Sequence, residues 1–315
     1  MPQFDITLAG EANLDMVFYG LPEQLPMERE LLASGLSTLL GGSAAITAHN
    51  LAALGSKVGF IFQAGDDPWT EFCVRGLDKA GVDLSRVVAP RPNLSTGVTV
   101  FLQHGNRRQA FTHTGAISEL RLEDIDLGYL SSSRHFHLSS LFLQHALRPD
   151  AARLLAYMQQ AGVTTSLDTN DDPSGKWEEP LLEALKHVDI FLPNANEACR
   201  IARTDNVEDA ARELAKSVPT VVVKLGNRGA FARSGGERYE LPGVEVVAVD
   251  TVGAGDTFNA GFLHSWVQGA TIEECLEFGN ACGAYSTTAE GGIRGFQNAS
   301  ALKEFLTRHT RLRAL

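Results

Sequence analysis

The feature that most constrains this chain is a glycine-rich turn between an apolar run and a helical pattern near the C-terminal end. Residues 244–249 are mostly valine, and such a β-branched run predicts a buried strand. Phe258, Phe262 and Trp266 recur at every fourth position, which predicts a helix with one buried stripe. The turn at 253–255 therefore lies between a strand and the first turn of a helix.

Gly253, Ala254 and Gly255 in this turn predict a site for an anion. Two glycines let the backbone turn sharply and leave its N–H groups uncovered, at the positive end of the helix dipole. Asp256 follows in the first helical turn, where its carboxylate could accept a proton from a hydroxyl group during phosphoryl transfer. The dipole alone favours aspartate here by about 0.3–1 kcal/mol, so an ordinary helix start is the alternative. The spacing fits neither a P-loop nor a dinucleotide fingerprint.

Composition and charge limit the classes of function. The chain has 315 residues, of which 44% are hydrophobic, so it can bury a substantial core. Its formal net charge of −11, without a basic stripe, argues against nucleic acid as a partner. Four cysteines without a C-x-x-C pair fit a reducing cytoplasm, and we expect no signal peptide. No apolar stretch approaches about 18 residues, so we expect no membrane span.

Strand-like and helix-like patterns alternate along most of the chain. This alternation predicts an α/β fold, a doubly wound, mostly parallel sheet flanked by helices, and no linker divides residues 1–315 into domains. A hairpin is predicted at 98–113, with its turn at 104–108. Other strands are predicted at 4–9, 57–62, 135–139, 163–168, 188–192, 220–225, 230–233 and 238–241, and helices at 43–54, 69–79, 149–160, 194–203, 207–216, 272–288 and 302–312.

Two polar segments lie where such a sheet binds ligands. Asn13 and Asp15 follow the first strand, at the carboxyl edge, and are either ligands or ordinary turn residues. Gly41 and Gly42 open the helix at 43–54, and they provide either backbone contacts to a ligand or a simple tight turn. These residue types alone do not decide between the alternatives.

The string from Asp250 to Phe262, with the order of the other motifs, resembles the ribokinase, or PfkB, family of carbohydrate kinases over about residues 4–310. The resemblance implies a ribokinase-like fold with a small β-sheet lid from about 14–40 and 96–115. It implies transfer of the ATP γ-phosphate to a hydroxymethyl group of a sugar or sugar acid, with Mg²⁺. A homodimer through the lid is one expected assembly.

The resemblance also implies roles for individual residues. Asp256 matches the catalytic base, and Gly253, Ala254 and Gly255 match the anion hole. The residues implied to contact the substrate are Asn13, Asp15, Gly41, Gly42 and, with less support, Asn170. Those implied to contact the nucleotide are Asn194, Lys224, Gly226, Gly229 and Asn280. Glu197 is implied to bind Mg²⁺ through water, and Asp250 marks a weaker match to a K⁺ site.

One position departs from the family pattern. Ile46 stands where relatives usually have an asparagine that contacts the sugar. Because a missing hydrogen-bond partner can change substrate preference, we expect ribose to be a poor substrate.

Other side chains have competing interpretations. His135 and His137 are expected to be packed side chains and not metal ligands. Arg107 and Arg108 are interpreted as a solvated hairpin tip, with contact to an acidic substrate as the alternative.

Two further functions compete with a sugar kinase. A nucleoside kinase would use Phe101 or Phe111 for stacking on a base. A sugar-sensing homologue without activity would not need Asp256.

Overall fold

A mixed eight-stranded sheet forms the centre of the computed structural model, which describes residues 2–104, 107–178 and 180–311. Its strand order is β12-β11-β10-β9-β8-β7-β1-β4, and the six strands from β10 to β4 are parallel. The hairpin strands β11 and β12 are antiparallel and form one edge. The strands are β1 Phe4–Gly10, β4 Val58–Phe62, β7 Ser133–Ser139, β8 Thr164–Asp168, β9 Ile190–Phe191, β10 Thr220–Lys224, β11 Ala230–Ser234 and β12 Glu237–Leu241.

Helices cover both faces of this sheet, as the alternating pattern predicts. Because side chains alternate along a strand, neighbouring residues such as Phe191 and Leu192 enter different cores. One core packs against α4 to α7, and the other against α1, α2 and α8. The helices are α1 Ser43–Ala53, α2 Pro68–Ala80, α3 Leu127–Leu130, α4 Ala151–Gln160, α5 Leu181–Leu185, α6 Ala195–Ala202, α7 Val207–Leu214, α8 Ala254–Val267, α9 Ile272–Ser286 and α10 Ala299–His309.

A separate four-stranded sheet has the order β3-β2-β5-β6 and lies where a lid was predicted. Its strands are β2 Asn13–Tyr19, β3 Gly35–Gly41, β5 Gly97–His104 and β6 Arg107–His113. The predicted hairpin between β5 and β6 is present, although Gly105 and Asn106 of its turn lie outside the described residues. Leu312, at the end of the last predicted helix, lies outside them as well.

The strand predicted at 244–249 is wrong. This segment pairs with no described strand, and the side chain of Val247 is 89% exposed. A β-branched run favours extended backbone but does not supply a partner strand. The segment instead runs from β12 to α8, and Val249 N–H donates to the carbonyl of Thr287 at 2.7 Å.

Within the described residues, no helix combines the length and the apolarity that crossing a bilayer requires.

Candidate active site

The glycine-rich turn forms the N-terminus of α8 and can hold an anion. Gly253 caps the helix with a φ of 73°, in the left-handed region. A Cβ atom on it would lie 2.6 Å from the Cα atom of Gly292, so only glycine fits without a shift of the backbone. The N–H groups of Gly255 and Asp256, in the first turn, have no partner within the helix. With the helix dipole, these groups can interact favourably with a negatively charged oxygen.

The Asp256 side chain is buried directly beside these donors. Burial and then the nearby Asp168 carboxylate raise the pKa of Asp256 to about 6, against the opposing effects of Lys224 and Ser43. A carboxylate that is ionised at neutral pH, yet more basic than usual, has the properties of a general base. The predicted base and the predicted anion site therefore lie together.

Glu11, which the sequence-based prediction missed, lies in the same region. Its Oε1 atom accepts hydrogen bonds from the Ser43 N–H at 2.8 Å and from the Ser140 hydroxyl at 2.6 Å. Its Oε2 atom is buried and has no partner among the described residues. Burial is the main cause that raises the pKa of Glu11 to about 7. Its position directly after β1, at the ligand-binding edge of the sheet, was the signal that could have identified it.

Asn13, Asp15, Gly41 and Gly42 lie together at the pairing of β2 with β3. The Asn13 side-chain amide donates to Asp15 Oδ1 at 2.8 Å, and burial is the main cause that raises the pKa of Asp15 to about 7. A Cβ atom on Gly41 would lie 2.1 Å from Asp15 Oδ1, and one on Gly42 would lie 2.8 Å from Asn13 Oδ1. The paired glycines therefore make room for the polar pair.

Asn170 connects three loops at the carboxyl edge of the sheet. Its backbone has a φ of 52°, which is uncommon for a residue other than glycine. Its side-chain amide donates to the hydroxyl of Ser140 at 2.7 Å and to that of Ser43. Asn170 thus fixes the start of α1 while lining the same cavity as Glu11 and Asp15.

Lys224 lies under the anion site and forms a buried ion pair. Its Nζ atom donates to Asp168 Oδ2 at 2.5 Å and to Asn259 Oδ1 at 3.2 Å. Burial by itself raises the pKa of Asp168, but Lys224 and Asn259 outweigh this effect and lower it overall. A Cβ atom on Gly255 would lie 3.6 Å from Lys224 Nζ, which places the ammonium beside the turn. Neither the pairing nor the role of Asn259 was predicted.

Asn194 and Glu197 begin α6 with a reciprocal capping box. The Asn194 side chain accepts from the Glu197 N–H at 2.9 Å, and Glu197 Oε2 accepts from the Asn194 N–H at 2.8 Å. Burial, then Asp168, raises the pKa of Glu197 to about 7. Within the described residues, no group of three or more His, Cys, Asp or Glu side chains could hold a metal alone. One buried carboxylate nevertheless fits Mg²⁺, which proteins usually hold with one or two carboxylates, waters and substrate phosphates.

Asp250, the residue with the weaker match to a K⁺ site, connects its own loop with the loop at Gly291. Its carboxylate accepts from the Val252 N–H at 3.0 Å and from the Gly291 N–H at 2.9 Å. Both of its oxygens are therefore engaged in holding the turn that precedes the anion site.

Asn280, Gly226 and Gly229 lie near the end of β12. The Asn280 amide donates to the carbonyls of Leu241 at 3.2 Å and Pro242 at 3.1 Å. A Cβ atom on Gly229 would lie 2.2 Å from the Leu241 carbonyl oxygen, while one on Gly226 would meet nothing within 4 Å. Asn280 and Gly229 thus hold the start of the 242–249 segment, and Gly226 leaves open space beside it.

Ile46 is buried against the anion site, at a relative exposure of 2%. Its Cδ1 atom would lie 3.1 Å from a Cβ atom on Gly253 and 2.9 Å from one on Gly292. Ile46 therefore supports the turn from below and also lines the cavity. The structure thus has an apolar wall at the position where the resemblance implies an amide.

Arg108 is not simply a solvated residue of the hairpin tip, which corrects the interpretation from the sequence. Its guanidinium lies 5.5 Å from the centroid of the Phe101 ring, and Nη1 is 3.9 Å from Asp250 Oδ1. Phe101 lines the cavity, whereas Phe111 is 58% exposed and does not. The Arg107 side chain lies outside the described part of the chain.

His135 and His137 are buried and hydrogen-bonded, as expected for packed side chains. His135 Nε2 and His137 Nδ1 each lie 2.7 Å from the Ser166 hydroxyl oxygen. Burial is the main cause that lowers the pKa of His135 to about 3 and that of His137 to about 4, so both are neutral near pH 7.

Glu11, Asn13, Asp15, Asn170 and Asp256 line one cavity of about 670 Å³ between the small sheet and α8. Carboxylates, amides and hydroxyls converge on it, and Ile46 and Phe101 supply apolar walls. A polar substrate with several hydroxyl groups fits this lining. The described lining residues are Glu11, Asn13, Asp15, Gly42, Ser43, Ile46, Thr99, Phe101, Arg108, Ala110, Thr112, Thr114, Ile117, Ser140, Leu143, His145, Asn170, Asp171, Pro173, Val252, Gly253 and Asp256.

Comparison with known proteins agrees with this arrangement. The profile of the pfkB family carbohydrate kinases matches residues 3–299. An ATP-dependent ribose-1-phosphate kinase of Halopiger xanaduensis is 34% identical over 269 residues, which are 85% of this chain and 86% of the relative. A 2-dehydro-3-deoxygluconokinase of Bacillus subtilis is 28% identical over 287 residues, 87% of this chain and 88% of the relative. The crystal structure of a putative ribokinase II of E. coli in complex with ATP and Mg²⁺ superposes with a TM-score of 0.85 at 25% identity, covering 97% of this chain and 100% of that one.

The chain belongs to the pfkB family of carbohydrate kinases. It is therefore a phosphotransferase with an alcohol group as acceptor, and its two sheets have the ribokinase-like arrangement.

Proposed function

We propose that this protein transfers the γ-phosphate of ATP to a hydroxymethyl group of a sugar or sugar acid. The observation that carries the proposal is the buried Asp256 carboxylate beside the N–H groups of Gly255 and Asp256 in the first turn of α8, at the wall of a polar cavity. This pairing supplies a proton acceptor and an anion site within one helical turn. Phosphoryl transfer to an alcohol needs both.

In the proposed reaction, Asp256 accepts the proton of the attacking hydroxyl group. The N–H groups of Gly255 and Asp256 stabilise the charge on the transferred phosphoryl group. The Lys224 ammonium beneath the turn adds positive charge, and Asp168 and Asn259 hold it in place. Glu11, Asn13 and Asp15 accept hydrogen bonds from the hydroxyl groups of the sugar or donate hydrogen bonds to them.

The donor and metal assignments rest on the family and on the neighbour bound to ATP and Mg²⁺. Glu197 would hold Mg²⁺ through water, and when bound the ion neutralises the donor phosphates. Asn194, Gly226, Gly229 and Asn280 would line the nucleotide. K⁺ near Asp250 is the weakest assignment, and omitting K⁺ from an activity assay tests it.

The small sheet is proposed to act as a lid over the cavity. Thr99, Phe101 and Arg108 reach the cavity from β5 and β6, so closure of these strands would shield the reaction from water. Hydrogen exchange in β5 and β6 should slow when the true substrate is added. Protection confined to the large sheet would contradict a lid at these residues.

An ADP-release assay over sugars, sugar acids, phosphorylated sugars and nucleosides tests the proposed activity and identifies the acceptor. The apolar wall at Ile46 predicts that ribose is a poor substrate and that a sugar with one fewer hydroxyl group is better. Efficient use of ribose would contradict this part of the proposal. A nucleoside acceptor is the second candidate because the Phe101 ring lines the cavity. Tight sugar binding without ADP release across the panel would favour a sensor.

A homodimer through the small sheet is also proposed. The β5 and β6 registers place Val100 opposite Phe111, and Phe111 and Leu36 are 58% and 57% exposed. The β2 and β3 register pairs Leu36 with Phe18 on the same outer face. A second copy would remove these side chains from water. Light scattering should give twice the chain mass, and Leu36→Glu should convert the protein to monomers, whereas a monomeric wild type would contradict the proposal.

A further inference from the structure

A second cavity, of about 910 Å³, lies beside α6 and shares no lining residue with the cavity at Asp256. Its described wall includes four basic side chains, Lys176, Arg200, Arg203 and Arg228. The wall also includes Glu178, which lies 3.6 Å from Arg203, and Asp205. Basic groups thus outnumber acidic ones here, in a chain whose net charge is −11.

Three of these cations are available to a ligand. The side chains of Lys176, Arg200 and Arg228 have no hydrogen bond or ion pair with any residue that the structure describes. At physiological ionic strength the Debye length is about 8 Å, so this local cluster, and not the distant negative charge, sets the potential in the cavity. Guanidinium groups match the geometry of phosphate oxygens.

The N-terminal end of α6 adds a second attraction for anions. Ala195 and Asn196 line the cavity and occupy the first turn of this helix. N–H groups in a first turn have no partner within the helix, and the dipole is positive there. The C-terminal end of α6, at Arg203 and Thr204, also lines the cavity, so the dipole acts only on the Ala195 side and the free cations supply most of the attraction.

We propose that this cavity is an anion-binding site for a ligand that carries several phosphate groups. The ligand we propose is a phosphorylated metabolite that binds independently of the nucleotide donor. The cavity shares no lining residue with the one at Asp256, so both can be occupied together. Binding itself requires no phosphoryl transfer, so it can be tested even if the proposed activity is wrong.

The probe is inorganic tripolyphosphate, titrated calorimetrically into the full chain without nucleotide at low and at physiological ionic strength. The test variant is Lys176→Gln with Arg200→Gln. The matched control is Arg121→Gln with Arg153→Gln, two exposed arginines outside the cavity with the same total change of charge. We expect wild type and control to bind alike, and the cavity variant to bind roughly tenfold more weakly. Thermal melts of both variants check that neither has lost its fold.

Repeating the titration with a saturating non-hydrolysable ATP analogue distinguishes such a ligand from the donor. Undiminished binding of tripolyphosphate supports a separate phosphorylated ligand. Its displacement would assign the cavity to the donor tail and overturn the proposal. Equal affinity of the cavity and control variants, or no binding to the wild type, would overturn the proposal.

Discussion

Replacing Gly253 with alanine tests whether the shape of the turn at α8 supports phosphoryl transfer. Gly253 has a φ of 73°, and a Cβ atom on it would lie 2.6 Å from the Cα atom of Gly292 and 3.1 Å from Ile46 Cδ1. Two costs therefore combine at this position, the strain of left-handed backbone and the displacement of the neighbouring loop. Because this residue caps α8, any shift moves the N–H groups of Gly255 and Asp256.

The two costs can be measured separately because a second glycine, just beyond the C-terminal end of α8, has only one of them. Gly269 has a φ of 81°, but a Cβ atom on it would meet nothing within 4 Å. Gly269→Ala should therefore lose only the left-handed strain, about 1–2 kcal/mol of unfolding free energy. Gly253→Ala should lose a further 1–3 kcal/mol or so from overpacking. Displacing a donor from an anion site costs about 10²–10³ in kcat, so only Gly253→Ala should lose activity to that extent.

The assay combines urea unfolding of both variants with ADP release at saturating ATP and acceptor. At temperatures where both variants remain folded, we expect Gly269→Ala to keep the wild-type kcat and Gly253→Ala to have a strongly reduced kcat. If Gly253→Ala keeps a kcat within about twofold of the Gly269→Ala value, the turn is not the anion site, since a misplaced donor would cost far more.

Three further predictions concern charged groups in the site. The pKa of Asp256 is raised to about 6, and a general base must be ionised, so kcat/KM for the sugar should fall as the pH drops through about 6. A pH profile of kcat/KM that is flat down to about pH 4 would contradict this prediction. Glu197, with a pKa of about 7, should bind Mg²⁺ less well below that pH. Glu197→Gln should abolish this pH dependence and lower turnover while leaving sugar affinity unchanged. Identical Mg²⁺ titrations of the variant and the wild type would exclude this role for Glu197. Lys224→Met should destabilise the fold by about 3–5 kcal/mol because it leaves the Asp168 carboxylate buried and unpaired. Adding Asp168→Asn should restore part of that stability, and no difference between the single and double variants would argue against the pair.

Much of the secondary structure could be predicted from local sequence patterns, because helices, strands and turns depend largely on residues that are close together in the chain. The alternation of strands and helices and the turn before α8 both follow from short motifs. The segment at 244–249 shows the limit of such patterns, since its valines favour extended backbone but no strand is available to pair with it.

The charge arrangement of the site depends on contacts between distant residues and was therefore harder to predict. Lys224 meets Asp168 across β9, which separates β10 from β8, so nothing in the sequence around either residue indicates the pair. Glu11 was missed because its environment is formed by a distant segment, in which α1 places the Ser43 N–H against the Glu11 carboxylate. Arg108 faces the cavity because β6 pairs with β5, which turns its side chain toward Phe101.

The most direct test of the central claim is the turnover of Asp256→Asn with the acceptor found by the substrate panel. Asparagine keeps the size of the side chain but cannot accept the proton of the hydroxyl group. We predict that the variant keeps its fold and its affinity for ATP while kcat falls by about 10²–10⁴, the usual contribution of a general base. A variant that keeps most of the wild-type turnover would show that Asp256 is not the base.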